Sequence, residues 1–170
     1  MKIDLEKYCI DALQLGARYA EGFDISQIAF DSRTILKCIF GCEDYGKIHT
    51  CPNQRSKLWP WQYKEILIQY QCGIVIGTND KALSQKVSYQ VEKLCFLDGH
   101  YFAFSLSDCA VCACCALSEG KNCRSPKTAR PAFHSVGIDV FKTVRGLGMP
   151  IQVLQDMGGE ENWYSAVFIN

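Results

Sequence analysis

Five of the chain's eleven cysteines fall between Asp108 and Pro131, and this crowding constrains the fold more than any other feature. Four of them, Cys109, Cys112, Cys115 and Cys123, follow the spacing C-x2-C-x2-C-x7-C. A bacterial ferredoxin run reads C-x2-C-x2-C-x3-C-P. The first three thiols keep that rhythm, and the step to the fourth is longer. Two intervening residues let neighbouring thiolates turn towards one centre, and a third joins from the next turn. Buried apolar thiols would be the ordinary alternative. The segment also holds Asp108, Ser118, Glu119, Lys121 and Asn122, so it reads as loop and not as core. The spacing predicts a metal or iron–sulfur site.

A second group spans Cys38 to Pro52, with Cys38, Cys42 and Cys51 spaced C-x3-C-x8-C-P on a polar loop. It lacks a fourth local ligand. Cys72, Cys95, Cys114, Cys9 and His49 are the candidate donors; Cys9 sits on an apolar helical stripe and reads as a core thiol. In two-cluster ferredoxins the cysteine before proline ligates the other cluster. An exchange is therefore open, in which Cys51 joins Cys109, Cys112 and Cys115 while Cys123 joins Cys38 and Cys42. A self-contained Cys109–Cys123 loop is the preferred pairing, because so short a step closes easily. The seven thiols predict one or two 4Fe–4S clusters. Zinc is the competing cofactor, but it usually takes cysteines in pairs. Triplets suit the corners of a cubane better.

The remaining composition excludes several classes. Eighteen basic residues balance eighteen acidic ones, so no basic footprint marks a nucleic-acid binder. No apolar run is long enough for a membrane span, and the first residues carry no apolar signal region. A cytoplasmic location is expected, and a reducing compartment favours metal-binding over disulfide-bonded cysteines. Oxygen-labile thiolates would suit an anaerobe. The 170 residues suggest one domain, 1–170, with an adequate core.

Hydrophobic periodicity predicts helices over Asp4–Leu15, Leu58–Gln71, Lys81–Leu97 and from Pro131 to about Gly146. Strands are expected at Ile25–Phe30, Arg33–Phe40, Cys72–Gly77, His100–Leu106, Ile151–Leu154 and Ser165–Ile169. Gly41–Lys57 reads as a polar loop. Trp59, Trp61 and Tyr63 read as core or loop packing, since a base-stacking platform would need basic neighbours. The alternation of helix, glycine and strand gives an α/β or α+β class: a small mixed sheet, helices packed on it, and two cysteine-rich cluster-binding loops.

The motifs Cys42-Glu43-Asp44-Tyr45-Gly46, Cys51-Pro52, Cys123-Arg124-Ser125-Pro126, Ala129-Arg130-Pro131 and Gly137-Ile138-Asp139-Val140 together resemble the predicted metal-binding proteins of the domain of unknown function 2284 family. The resemblance runs from about residue 20 to 150 and implies iron–sulfur or metal binding without a settled activity. Two positions depart from the family pattern. Asn53 replaces a usual second proline. Ala132-Phe133-His134-Ser135 stands where the family tends to have Ser-x-Glu-Ala, so no role of that glutamate carries over; His134 is a candidate polar substitute.

Three functions fit these residues. The first is electron transfer or a redox accessory role, with a redox protein as partner. No G-x-G-x-x-G or Walker motif points to a nucleotide or flavin. Lys121, Arg124, Lys127 and Arg130, around the last cysteine, could compensate cluster charge. The second is an enzyme with an open iron at Cys38, Cys42 and Cys51, acting on a small molecule by sulfur removal, sulfur transfer or dehydration. Glu43, Asp44, Tyr45 and His49 would then be candidate proton carriers. The third is a zinc-binding or metal-sensor protein in which Cys114 is the reactive extra thiol. Radical S-adenosylmethionine chemistry is rejected, because Cys51 lies too far from Cys42 for C-x3-C-x2-C. Neither nucleic acid nor membrane is expected as a partner.

Overall fold

The computed structural model describes residues 3–54, 58–153, 159 and 161–170. Its organising strand is β2 (Cys72–Thr78), part of an antiparallel sheet with β1 (Tyr19–Asp24), β3 (Phe104–Leu106) and β4 (Trp163–Phe168) in the order β1-β2-β4-β3. The run C-G-I-V-I-G-T is buried from Gly73 onward. Successive side chains of a strand face opposite sides, so Ile74 and Ile76 enter one core and Val75 the other. A Cβ at Gly73 would strike Val167 O and the Phe23 ring, which explains why glycine begins the buried part of the strand.

On one face lie α1 (Leu5–Gln14) and α4 (Lys81–Leu97). Asp4 and Asp80 cap them, accepting from Lys7 N at 3.1 Å and Leu83 N at 2.7 Å. Tyr8, Ala12, Val87, Val91 and Cys95 pack on Ile74, Ile76 and Val167. Each fully buried aliphatic side chain contributes about 1.5–3 kcal/mol. On the other face, α3 (Pro60–Leu67), α5 (Val140–Gly146) and a 3-10 turn over Phe133–Val136 cover Phe23, Val75, Leu106 and Phe168.

The α+β class and the helices on the sheet are as expected, but the sheet is antiparallel throughout and not mixed. β2, α4 and β3 form a crossover, and the C-terminal β4 inserts between the two strands, antiparallel to both. An insertion from the far end of the chain leaves no local signal.

The segment expected as a strand at Arg33–Phe40 is instead α2 (Thr34–Gly41). Asp31 accepts from Arg33 N at 2.9 Å, and Thr34 N bonds Asp31 O at 3.2 Å. Asp31-Ser32 therefore opens a helix and does not turn a hairpin. Ile25–Gln27, also expected as strand, is a 3-10 turn capped by Asp24; Phe30 makes only an isolated bridge to Ile138. β1 lay outside every expected strand.

The long helix expected after Pro131 is split. The turn at Phe133–Val136 ends at Gly137, whose φ is +86°, and Asp139 caps α5 through Lys142 N at 2.9 Å. The expected Leu58–Gln71 helix is shorter, as α3, and the His100–Leu106 strand is reduced to β3 because His100 to Ala103 form a turn, closed by Ala103 N on His100 O at 2.9 Å. Ile151–Val153 have no regular structure, and Leu154 lies outside the described residues. Trp59 and Trp61 stack on each other at 5.4 Å between ring centroids, half exposed and outside the core.

Candidate metal centre

The cysteine loops meet where the 3-10 turn Phe133–Val136 carries α2 against the sheet layer. α2 buries Cys38 near its C-terminal end and delivers Cys42 just beyond it. The chain then runs through successive turns, with Tyr45 N on Cys42 O at 3.2 Å and Cys51 N on Ile48 O at 3.0 Å. Cys51 Sγ reaches back to Asp44 O at 3.4 Å. These bonds satisfy the backbone locally, as an irregular segment requires.

The second loop leaves β3 and returns to Pro131, and α4 holds both of its ends. The Gln85 side chain is buried; its Oε1 accepts from Ala110 N at 2.6 Å and its Nε2 donates to Thr128 O at 2.9 Å. Ser107 N bonds Pro131 O at 2.9 Å. Glu92 and Arg130 form an ion pair with both side chains about nine-tenths buried. Glu92 also accepts from Ser105 N at 2.7 Å, and Arg130 lies over the Phe104 ring at 5.0 Å. The two loops touch through His49 Nε2, which donates to Lys121 O at 2.8 Å.

Each cysteine group lines its own cavity. Cys109, Cys112, Cys115 and Cys123 border a space of about 430 Å³, together with Cys114 and His49. Cys38, Cys42 and Cys51 border one of about 240 Å³. Asp44, Ile48, Lys81 and Cys109 line both, so the cavities adjoin. A third cavity, about 330 Å³, shares Asp108, His134 and Trp163 with the second. Among the described residues no three Cys, His, Asp or Glu side chains close on a single point as ligands of one ion.

Other candidate fourth donors for the Cys38 group lie elsewhere. Cys9 and Cys95 pack in the α1–α4 core, and Cys72 opens β2 opposite Asp24. Cys114 and His49 line the neighbouring cavity. Asp108, Cys109 and His134 are the donors that share the cavity with Cys38, Cys42 and Cys51, besides Asp44 and Tyr45. Cys51 borders the same cavity as Cys38 and Cys42, and Cys123 the same cavity as Cys109, Cys112 and Cys115, with Cys109 on both.

Of the expected cations, Arg124 borders the Cys109–Cys123 cavity and donates to Cys114 O at 3.3 Å while also binding Glu119 at 2.6 Å; Lys121 binds Glu119 at 2.8 Å, and Arg130 is drawn into the Glu92 pair. Among the described residues the cation that lines both cavities is Lys81, whose Nζ stands 5.4 Å from the Trp163 ring centroid. Burial pushes the Cys38 thiol up to about 11, with Cys42, Cys51 and Asp108 adding to it. Burial also raises Cys109, against the opposing pull of the Val111 backbone and the Gln85 amide. Without a cation such thiols stay neutral; a bound metal would deprotonate them.

The profile of a family of predicted metal-binding proteins, DUF2284, matches residues 21–169. The chain belongs to this family. No curated protein and no solved structure matches it. The DUF2284 motifs now have physical explanations. Gly137 needs its positive φ, and a Cβ there would lie 2.9 Å from Pro60 Cβ. Asp139 caps α5, and Arg130 binds Glu92. Sequence reasoning did not find Asp108, Lys81 or Gln85 as parts of the centre. Asp108 had one available signal, its position directly before the cysteine run.

Proposed function

We propose that the chain is an electron-transfer or redox accessory protein carrying two 4Fe–4S clusters side by side, one in each cysteine-lined cavity. The observation that supports it is the adjoining of two cavities, each bordered by one cysteine group. Cys109, Cys112, Cys115 and Cys123 would hold one cluster, and Cys38, Cys42 and Cys51 the other. Thiolate donors suit iron–sulfur clusters, and zinc competes for the same softness. Bound clusters would supply one-electron transfer. The chain's own residues contribute rigid loops through Gln85 and Arg130, and a shared cation in Lys81.

A redox protein is the natural partner. The eleven cysteines are free, which suits a reducing compartment such as the cytoplasm and anaerobic conditions. Among the described residues no helix is long and apolar enough to cross a membrane. A second reading, an enzyme with an open iron, draws support from the three-thiol composition of the Cys38 group and from the third cavity beside it.

Anaerobic reconstitution with measurement of iron, sulfide and zinc tests the proposal. About eight irons with matching sulfide are expected for two cubanes. Cys115→Ser should remove about half of both. A colourless protein loaded with zinc would overturn the proposal.

A further inference from the structure

The cavity of Cys38, Cys42 and Cys51 brings three thiols of its own group, one fewer than a cubane uses. Cys109 also borders it, but the neighbouring set of four thiols includes Cys109. Asp108 and His134 are both partly buried on this wall, and among the described residues neither side chain has a hydrogen-bond or ion-pair partner; Asp108 is the anion of the two and directly precedes Cys109. A half-buried carboxylate facing thiols gains nothing from them and is stabilised by a cation. Its backbone is fixed on either side by the bonds from Ser107 N to Pro131 O and from Ala110 N to Gln85 Oε1, at 2.9 and 2.6 Å. The same carboxylate lines the third cavity.

We infer that Asp108 is the fourth ligand of a cluster at the Cys38, Cys42 and Cys51 site, and that the third cavity admits a small uncharged donor molecule to the same iron. This rests on the two-cluster reading. A carboxylate is a harder ligand than thiolate, so it exchanges more readily at a thiolate-rich iron. The third cavity falls within the range of small-molecule sites, about 300–1,000 Å³. Phe133, Phe141 and Trp163 give it aromatic walls, and Asp108 and Glu161 are its charged residues, with no Lys or Arg among the described lining. Two carboxylates disfavour an anion, and a protonated amine has no lone pair to give to iron, so the fitting donor is neutral.

Mössbauer spectroscopy of the anaerobically loaded full chain, with and without imidazole as a neutral probe, tests this in the parent and in D108A, D108C and H134A. The parent should show one iron component of oxygen-ligated character that shifts when imidazole is added. D108C should convert that component to thiolate character and lose the imidazole response. D108A should keep its iron content but lose the component before imidazole is added. A D108A spectrum identical to the parent's, or loss of the component in H134A but not in D108A, overturns the assignment while the two-cluster reading stands. Failure of every chain to take up iron and sulfide overturns both.

Discussion

Lys81 is the residue whose role depends most on its surroundings. In sequence it is an ordinary first residue of α4 after the Asp80 cap, where a cation gains nothing from the helix dipole. In space it borders both cysteine cavities. A cation there favours the more negative, reduced state of a thiolate-ligated cluster. Lys81→Met should lower the reduction potential by about 40 mV, on the order of 1 kcal/mol for a partly screened charge. Protein-film voltammetry reads this directly, and an unchanged potential would remove Lys81 from the centre. Cys95 is the contrasting case. Burial pushes its thiol up to about 12, and it packs between Val91 and the sheet as a small apolar side chain.

Among the elements, α4 does most to position the centre. Gln85 ties the two ends of the Cys109–Cys123 loop, and Glu92, two turns on, holds Arg130. Glu92 also takes Ser105 N and Oγ, so one carboxylate joins α4, β3 and the returning loop. Glu92→Ala would leave the Arg130 guanidinium buried and unpaired, at a cost of about 3–5 kcal/mol. Urea titration should show that loss, and limited proteolysis should cut between Cys109 and Pro131 earlier than in the parent. Equal stability of the two proteins would mean that water already satisfies Arg130. The split of the Pro131–Gly146 segment belongs to the same scale. Gly137 and Asp139 end one turn and start the next, and the bonds Asp31 N to Gly137 O and Asp139 N to Ala29 O fasten the approach to α2 beside them. This junction carries Cys38 towards His134.

At the scale of the whole molecule, surface carboxylates held below their usual range add to the pH dependence of stability. Lys7 and Tyr8 hold Asp98 below the usual carboxylate range and join α1 to the end of α4. Arg33 holds Asp31 down at about 2. A carboxylate with a depressed folded-state pKa stabilises the fold above its unfolded value and loses that contribution as pH falls through the folded one. Asp98→Asn should therefore be less stable than the parent at neutral pH. The gap should narrow below the ordinary Asp value of 3.8. Thermal unfolding from pH 7 to pH 2 checks it, and a gap independent of pH would exclude the linkage.

Much of the chemistry was legible in order along the chain. The cysteine spacings marked both loops, and the apolar periodicity of Asp4–Leu15 and Lys81–Leu97 and the apolar run of β2 marked their elements, because these signals act over a few residues. The Arg33–Phe40 segment was misread because β-branched and aromatic residues resemble a strand, while the Asp31 side chain and packing on the Phe133–Val136 turn made it α2. The sequence by itself marked the two cysteine groups and left the partners of Cys51 and Cys123 open. Only the tertiary structure decided that β4 inserts between β2 and β3, that the two groups share a wall on which Lys81 stands, and that Asp108 borders the Cys38 cavity. Those relations join residues far apart in the chain, and burial of a common core, not any local preference, brings them together.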